Sequence, residues 1–135
     1  MLSTNADQVA TDTIERFDTF EERVDDELER TAEDAKGRAR ERVPVDEGDL
    51  LRDISVRTGE GWSKVFNTLD YAVYQNFGTE GPYIIEPKRA QALRFTVDGE
   101  TVFAKAVLHP GVPATYYMTD AALDAFIDSI DRLTR

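Results

Sequence analysis

The sequence predicts an α+β fold, folded as one domain of 135 residues. Three observations carry that prediction. Apolar residues recur at three- and four-residue steps through the first third of the chain. Short alternating runs, separated by turn residues, fill the middle. A second helical repeat closes the sequence. The expected organisation is a long helix over 1–42, sheet and loops over 43–114, and a C-terminal helix over 115–135.

The first helix rests on Val9 or Ala10, Ile14, Phe17, Phe20, Val24, Leu28, Ala32, Ala35 and Ala39. Ser3, Thr4 and Asn5 offer caps near its start, and Pro44 stops it by forcing Val43 out of helical space. Carboxylates crowd between the stripe positions, with Arg16, Arg23 and Arg30 every seven residues among them. That pattern fits a solvated face with weak pairs four apart, or a helix partly laid against a neighbouring subunit. Next, Asp53–Thr58 and Trp62–Leu69 alternate around a Gly59–Gly61 turn, which predicts a hairpin. Tyr71, Tyr74 and Phe77 recur at three-residue steps before Gly78, which fits a short helix with these rings in the core. Tyr83–Ile85 is expected to be a strand. Ala92–Val97 and Thr101–Val107 flank Asp98-Gly99, the strongest hairpin signal in the chain, because a tight primed turn needs positive φ at both central residues. Pro110, Gly111 and Pro113 break the sheet. Met118, Ala121 or Ala122, Ala125, Phe126, Ile130 and Leu133 then mark the last helix. The whole predicts a mostly antiparallel sheet of about four strands with a short helix inserted.

Composition narrows the function. The chain has no cysteine, so disulfides and thiolate metal sites are excluded, and a lone His109 cannot build a histidine-based zinc site. No apolar run approaches the ~20 residues of a membrane span, and the N-terminus lacks the pattern of a signal peptide, so a cytoplasmic or virion setting is expected. The formal net charge is −11, with 15 Asp to 12 Glu and 12 Arg to 4 Lys. This is the balance expected of a chain from a salt-loving source, because molar salt shortens the Debye length to ~3 Å and removes the self-repulsion. Specific binding of nucleic acid is not expected from such a surface.

Chemistry is sparse. His109 precedes Pro110 directly, and no serine has the setting of a nucleophile elbow. Its expected role is to brace the turn through a hydrogen bond to backbone. Asp46, Glu47 and Asp49 surround Gly48 and could hold a hard cation through oxygen, but their spacing is not that of a calcium loop. The preferred reading is that Asp46 caps a turn and Asp49 begins the next segment. Gly59-Glu60-Gly61 lacks the helix and lysine of a phosphate loop. Neither catalysis, metal nor cofactor is expected.

Three blocks remain: Val43–Ile54 (VPVDEGDLLRDI), Tyr71–Thr79 (YAVYQNFGT) and His109–Ala114 (HPGVPA). Together they resemble the neck, or tail-completion and tail-terminator, proteins of lambda-like long-tailed double-stranded DNA viruses. The family pattern has a Val-Pro-Val-Asp-Thr-Gly segment after a long helix, matched by Val43, Pro44, Val45, Asp46 and Gly48. Its Tyr-Ala-x-Tyr-x-Glu-Phe-Gly-Thr is matched by Tyr71, Ala72, Tyr74, Phe77, Gly78 and Thr79. Leu93, Phe95, Gly99, Val102, Phe103 and the His109-Pro110-Gly111 corner follow in order. Glu47 stands in place of threonine, Asp53 of serine and Asn76 of glutamate.

The resemblance implies a virion protein assembled in the host cytoplasm. It implies a ring, usually of six copies, that ends the tail tube, docks the major tail tube protein to a head-side connector or stopper, and lets DNA pass unbound. Another neck ring, or a non-viral acidic adaptor using its long helix in a groove, are the competing readings. The expected contact surface is the loop Gly78, Thr79, Glu80, Gly81, Pro82, Tyr83, Ile84 and Ile85, with Lys88 and Arg89 beside it. The alternative for Ile84 and Ile85 is a plain strand of the same sheet. The basic stretch from Lys88 to Arg94 also offers a partner of opposite charge to the acidic helix.

Overall fold

The computed structural model describes residues 2–46 and 48–135. Helix α1 runs over Leu2–Arg42, α2 over Asp49–Asp53, α3 over Ala72–Phe77 and α4 over Tyr117–Thr134. The strands are β1 (Ser55–Gly59), β2 (Trp62–Phe66), β3 (Tyr83–Ile85), β4 (Leu93–Val97), β5 (Glu100–Ala104) and β6 (Val107–His109). The α+β architecture is as expected: a long first helix, antiparallel strands with a short helix among them, and a helix at the end. No helix among the described residues is long and apolar enough to cross a membrane.

The strands form three separate antiparallel ribbons, β1–β2, β3–β6 and β4–β5, instead of one continuous sheet. The reason lies in the run expected as one strand from Thr101 to Val107. It ends at Ala104, bends at Lys105 and resumes as β6, which pairs with β3 so that Tyr83 faces His109 and Ile84 faces Leu108. Asp98 and Gly99 both take positive φ, 50° and 83°, and close the β4–β5 hairpin as the Asp-Gly signal predicted. Ser3, Thr4 and Asn5 lie within α1 instead of capping it, because the helix begins at Leu2.

The core is small and sits at one end of α1. Ala32, Ala35 and Ala39 are buried on the inner face of α1, and Tyr117, Ala121 and Ala125 on the inner face of α4. Small side chains on both helices allow close approach. Val43, Leu50, Ile54 and Ala72 complete the cluster, where Tyr117 and Ile54 are the largest side chains buried outright. Ion pairs run along the α1–α4 seam. Arg42 reaches Asp124 at 2.6 Å, Arg38 reaches Asp128, and Arg132 reaches Glu27 at 2.9 Å. The hydrogen bond to Asp34 pushes the Arg38 pKa up, desolvation opposes it, and Asp128 adds to the rise. The β1–β2 hairpin covers α1 from another side, its turn held by a hydrogen bond from the Gly61 N–H to Asp25 Oδ1 at 3.0 Å. Beyond Val24 nothing among the described residues covers the helix, and residues 5–23 are all exposed.

Candidate assembly interface

The first block ends α1 and turns the chain. Val43 is buried and donates its N–H to Ala39 O at 2.8 Å, then Pro44 leaves the helix. Gly48 takes left-handed φ of 79°, a conformation that suits glycine, and α2 follows at Asp49. Asp46 is exposed, Asp49 pairs with Arg52 at 2.5 Å, and Glu47, the third carboxylate of this cluster, lies outside the described residues.

The second block is positioned by Asp53, at the end of α2. Its Oδ2 accepts from the N–H groups of Thr68 (2.6 Å) and Leu69 (3.1 Å) and from Asn67 Nδ2 (3.1 Å), while Oδ1 accepts from the Thr68 hydroxyl. Burial alone would raise its pKa. The bonds from the Thr68 hydroxyl, the two backbone N–H groups and Asn67 outweigh it and hold the carboxyl below its usual range. Asn67 Oδ1 in turn accepts from the Tyr117 hydroxyl at 2.6 Å. Burial pushes that phenol's pKa up, and the nearby Asp53 carboxylate and Tyr71 phenol add to the shift.

This clasp delivers α3 with Ala72 and Asn76 facing inward. Tyr71, Tyr74 and Phe77 are not core: they are 45%, 54% and 61% exposed. A helix of six residues has one narrow inner face, and Ala72 and Asn76 occupy it. The aromatic rings occupy the opposite face.

Asn76 joins α3 to α4. Its Oδ1 accepts the Met118 and Thr119 N–H groups at 3.0 and 3.2 Å, and its Nδ2 donates to Thr119 Oγ1 at 2.8 Å. The first turn of α4 is thereby capped by a side chain from another helix. Conversely, the last carbonyls of α3 accept from Thr115 and Tyr116 N–H, at Gln75 O (3.1 Å) and Asn76 O (2.9 Å).

The third block locks onto the second. Thr79 N–H donates to Val112 O, and Thr79 Oγ1 accepts from Val112 N–H, both at 2.8 Å. Gly81 lies against the Pro110 carbonyl, where an added Cβ would stand 2.0 Å from the oxygen. The Gly81–Pro82 peptide is cis. His109 Nδ1 accepts from the Gly111 N–H at 3.0 Å, the local bracing expected of it, and its ring stacks on Tyr83 with centroids 5.0 Å apart.

The outcome is one continuous face. Tyr71, Tyr74, Gln75, Thr79, Glu80, Tyr83 and Val112 line an open cleft of about 590 Å³. A second cleft of about 410 Å³ shares its Tyr71–Gln75 wall and is otherwise lined by the first block, from Pro44 to Leu50. The three blocks, far apart in sequence, therefore meet. On the β3–β6 ribbon Ile84 and Leu108 stand opposite each other, 66% and 67% exposed. Lys88 and Arg89 lie in the exposed bend between β3 and β4. What this face offers is contact: aromatic rings, bare aliphatic side chains and glycine-tight backbone. Sequence reasoning missed Asp53, Asn67, Asn76 and Tyr117. The signal for two of them was that Asp53 and Asn76 are positions where the chain departs from the family pattern.

Searches of curated proteins and of solved structures each returned no match. Residues 10–78 match the family described as "Bacteriophage HK97-gp10, putative tail-component", a span that runs from the bare half of α1 through the first two blocks to Gly78. The chain belongs to this HK97-gp10-like family of phage tail components.

Proposed function

We propose that the protein is a structural neck component of a tailed virus, without catalytic activity. In this reading several copies, six by the family resemblance, close into a ring in the virion neck. The ring ends the tail tube and joins it to a head-side connector or stopper. The observation that carries it is the convergence of the three blocks into one exposed aromatic face. Large rings left in water beside a rigid, hydrogen-bonded loop are the composition of a protein-binding surface. The loop from Gly78 to Ile85, with Lys88 and Arg89 next to it, meets an adjacent subunit or ring. A net charge of −11 suits a channel that double-stranded DNA traverses without sticking. The acidic balance further suits a salt-loving host.

The test is reconstitution with the major tail tube protein, read by light scattering and electron microscopy in low and in multimolar salt. Discrete rings on tube ends, lost in a Tyr74→Ala/Phe77→Ala variant of native circular dichroism, are the expected result. A chain that stays monomeric and ignores the tail protein in every condition refutes the reading.

A further inference from the structure

Two apolar helix faces lie bare in this molecule. On α1, Val9, Ile14, Phe17 and Phe20 are 64%, 61%, 65% and 53% exposed. On α4, Leu123, Phe126, Ile127 and Ile130 are 54%, 56%, 55% and 46% exposed, on the side away from Ala121 and Ala125. Each set follows helical spacing, so each is a stripe and not a scatter. With aromatic side chains burying ~150–250 Å² and the branched aliphatic ones somewhat less, four residues about half exposed leave on the order of 400 Å² per stripe. A patch of that size is among the largest a stable monomer leaves in water, typically ~300–600 Å².

We infer that the uncovered half of α1 in one copy lies along the outer face of α4 in the next copy of this chain. The inference rests on the ring reading and identifies the contact that closes it. The charges at the edges match. At about 100° per residue, Arg16 and Arg23 follow one edge of the α1 stripe, and Asp120 and Asp131, the latter also paired with Arg135, follow one edge of the α4 stripe. Arg16, with Thr13, Phe17 and Phe20, lines a shallow cleft of about 400 Å³. Neither Arg16 nor Arg23 pairs with a carboxylate among the described residues. The two stripes together bury on the order of 800 Å², and the charged stems beside them bring the contact toward the ~1,200 Å² at which specific interfaces begin.

The contact is between copies by geometry. Within one chain α4 runs antiparallel to α1, with Asp124 at Arg42, Asp128 at Arg38 and Arg132 at Glu27. Phe126 thus lies level with about residue 40 of α1, and at 1.5 Å per residue Phe17 is some ~35 Å further along. A stripe that pairs with a different stripe on the next copy is a heterologous contact, the kind that closes rings.

Two variants test it. Phe17→Glu/Phe20→Glu spoils the α1 face, and Phe126→Glu/Ile130→Glu spoils the α4 face. All four positions are about half exposed or more, and circular dichroism and melting check that each variant folds. Each alone is expected to be monomeric, with association weakened ~100-fold or more. Their equimolar mixture is expected to give a dimer and nothing larger, because only one intact pair of faces remains. Because the chain has no cysteine, a Phe17→Cys/Phe126→Cys chain provides a second readout. Oxidation should yield a ladder of disulfide-linked copies. Variants that assemble like wild type, with no ladder, overturn this contact while leaving the ring reading intact. An α4-face variant that still dimerises alone means that two α1 helices pair with each other, which also overturns it. A wild-type chain that never assembles, with or without tail protein, removes the ring reading itself.

Discussion

Replacing Asp53 separates the two ways in which a carboxylate can hold a fold. Three N–H donors, from Asn67, Thr68 and Leu69, converge on Oδ2, whereas Oδ1 receives only the Thr68 hydroxyl. An Asp53→Asn side chain can therefore keep every partner, with its carbonyl in place of Oδ2 and its amide turned to the Thr68 hydroxyl. What it loses is charge assistance. At about 1 kcal/mol net per hydrogen bond, reduced for the solvent-facing Thr68 groups, Asp53→Ala should cost about 2–3 kcal/mol. Asp53→Asn should cost about 1 kcal/mol or less. For a domain of this size that is a fall in Tm of roughly 8–10 °C against about 3 °C. The sign with pH follows from the depressed pKa. The folded carboxyl titrates below its ordinary 3.8, so its advantage over the Asp53→Asn variant is full at ~pH 5 and above and fades as pH falls through the folded pKa. Urea unfolding of the three proteins at pH 7, 4 and 3 measures this. Equal losses for the Ala and Asn variants, or a gap that widens toward acid, would refute the clasp.

Three further outcomes are expected. Asn76→Ala strips the cap from α4 and leaves the Met118 and Thr119 N–H groups, only partly buried, without their partner, which should lower stability by about 1–2 kcal/mol in thermal unfolding. Gly78→Ala combines a φ of 74° with a Cβ set 2.6 Å from Val112 O. It should cost more than about 2 kcal/mol and, by separating the second block from the third, expose Thr79 and Val112 amides to hydrogen exchange. Self-association should strengthen as salt rises from ~0.1 M to molar, because screening relieves repulsion between copies of charge −11 faster than it weakens the Arg–Asp edge pairs. A mass that falls with salt, by light scattering, contradicts an apolar seam between acidic surfaces.

Much of the fold was legible because it is written in local signals. Period and Pro44 defined α1, Asp98-Gly99 announced its hairpin, and Gly78 marked the end of α3. The readings that failed concern what surrounds an element, which a period cannot tell. Tyr71, Tyr74 and Phe77 have the spacing of a buried stripe, yet the space under α3 is filled by Ala72 and Asn76. The strand from Thr101 gave no warning that its end would leave β4 for β3. Asp53 and Asn76 looked like substitutions at loop edges. Their importance arises from donors 14 to 43 residues away, a relation that exists only after folding.

The uncovered half of α1 also bears on when order is acquired. A helix is costly to start and inexpensive to extend, and here the start is secured by α4 and the β1–β2 hairpin at the far end. From Val24 outward to Asn5 each further turn rests on propensity alone, so the stability of the helix is lower there than beside the body. A neighbour that takes up the apolar stripe would steady this arm as it binds. Part of the free energy of joining is then spent on local folding, which holds lone copies back from premature contact and favours closure where neighbours are already in place.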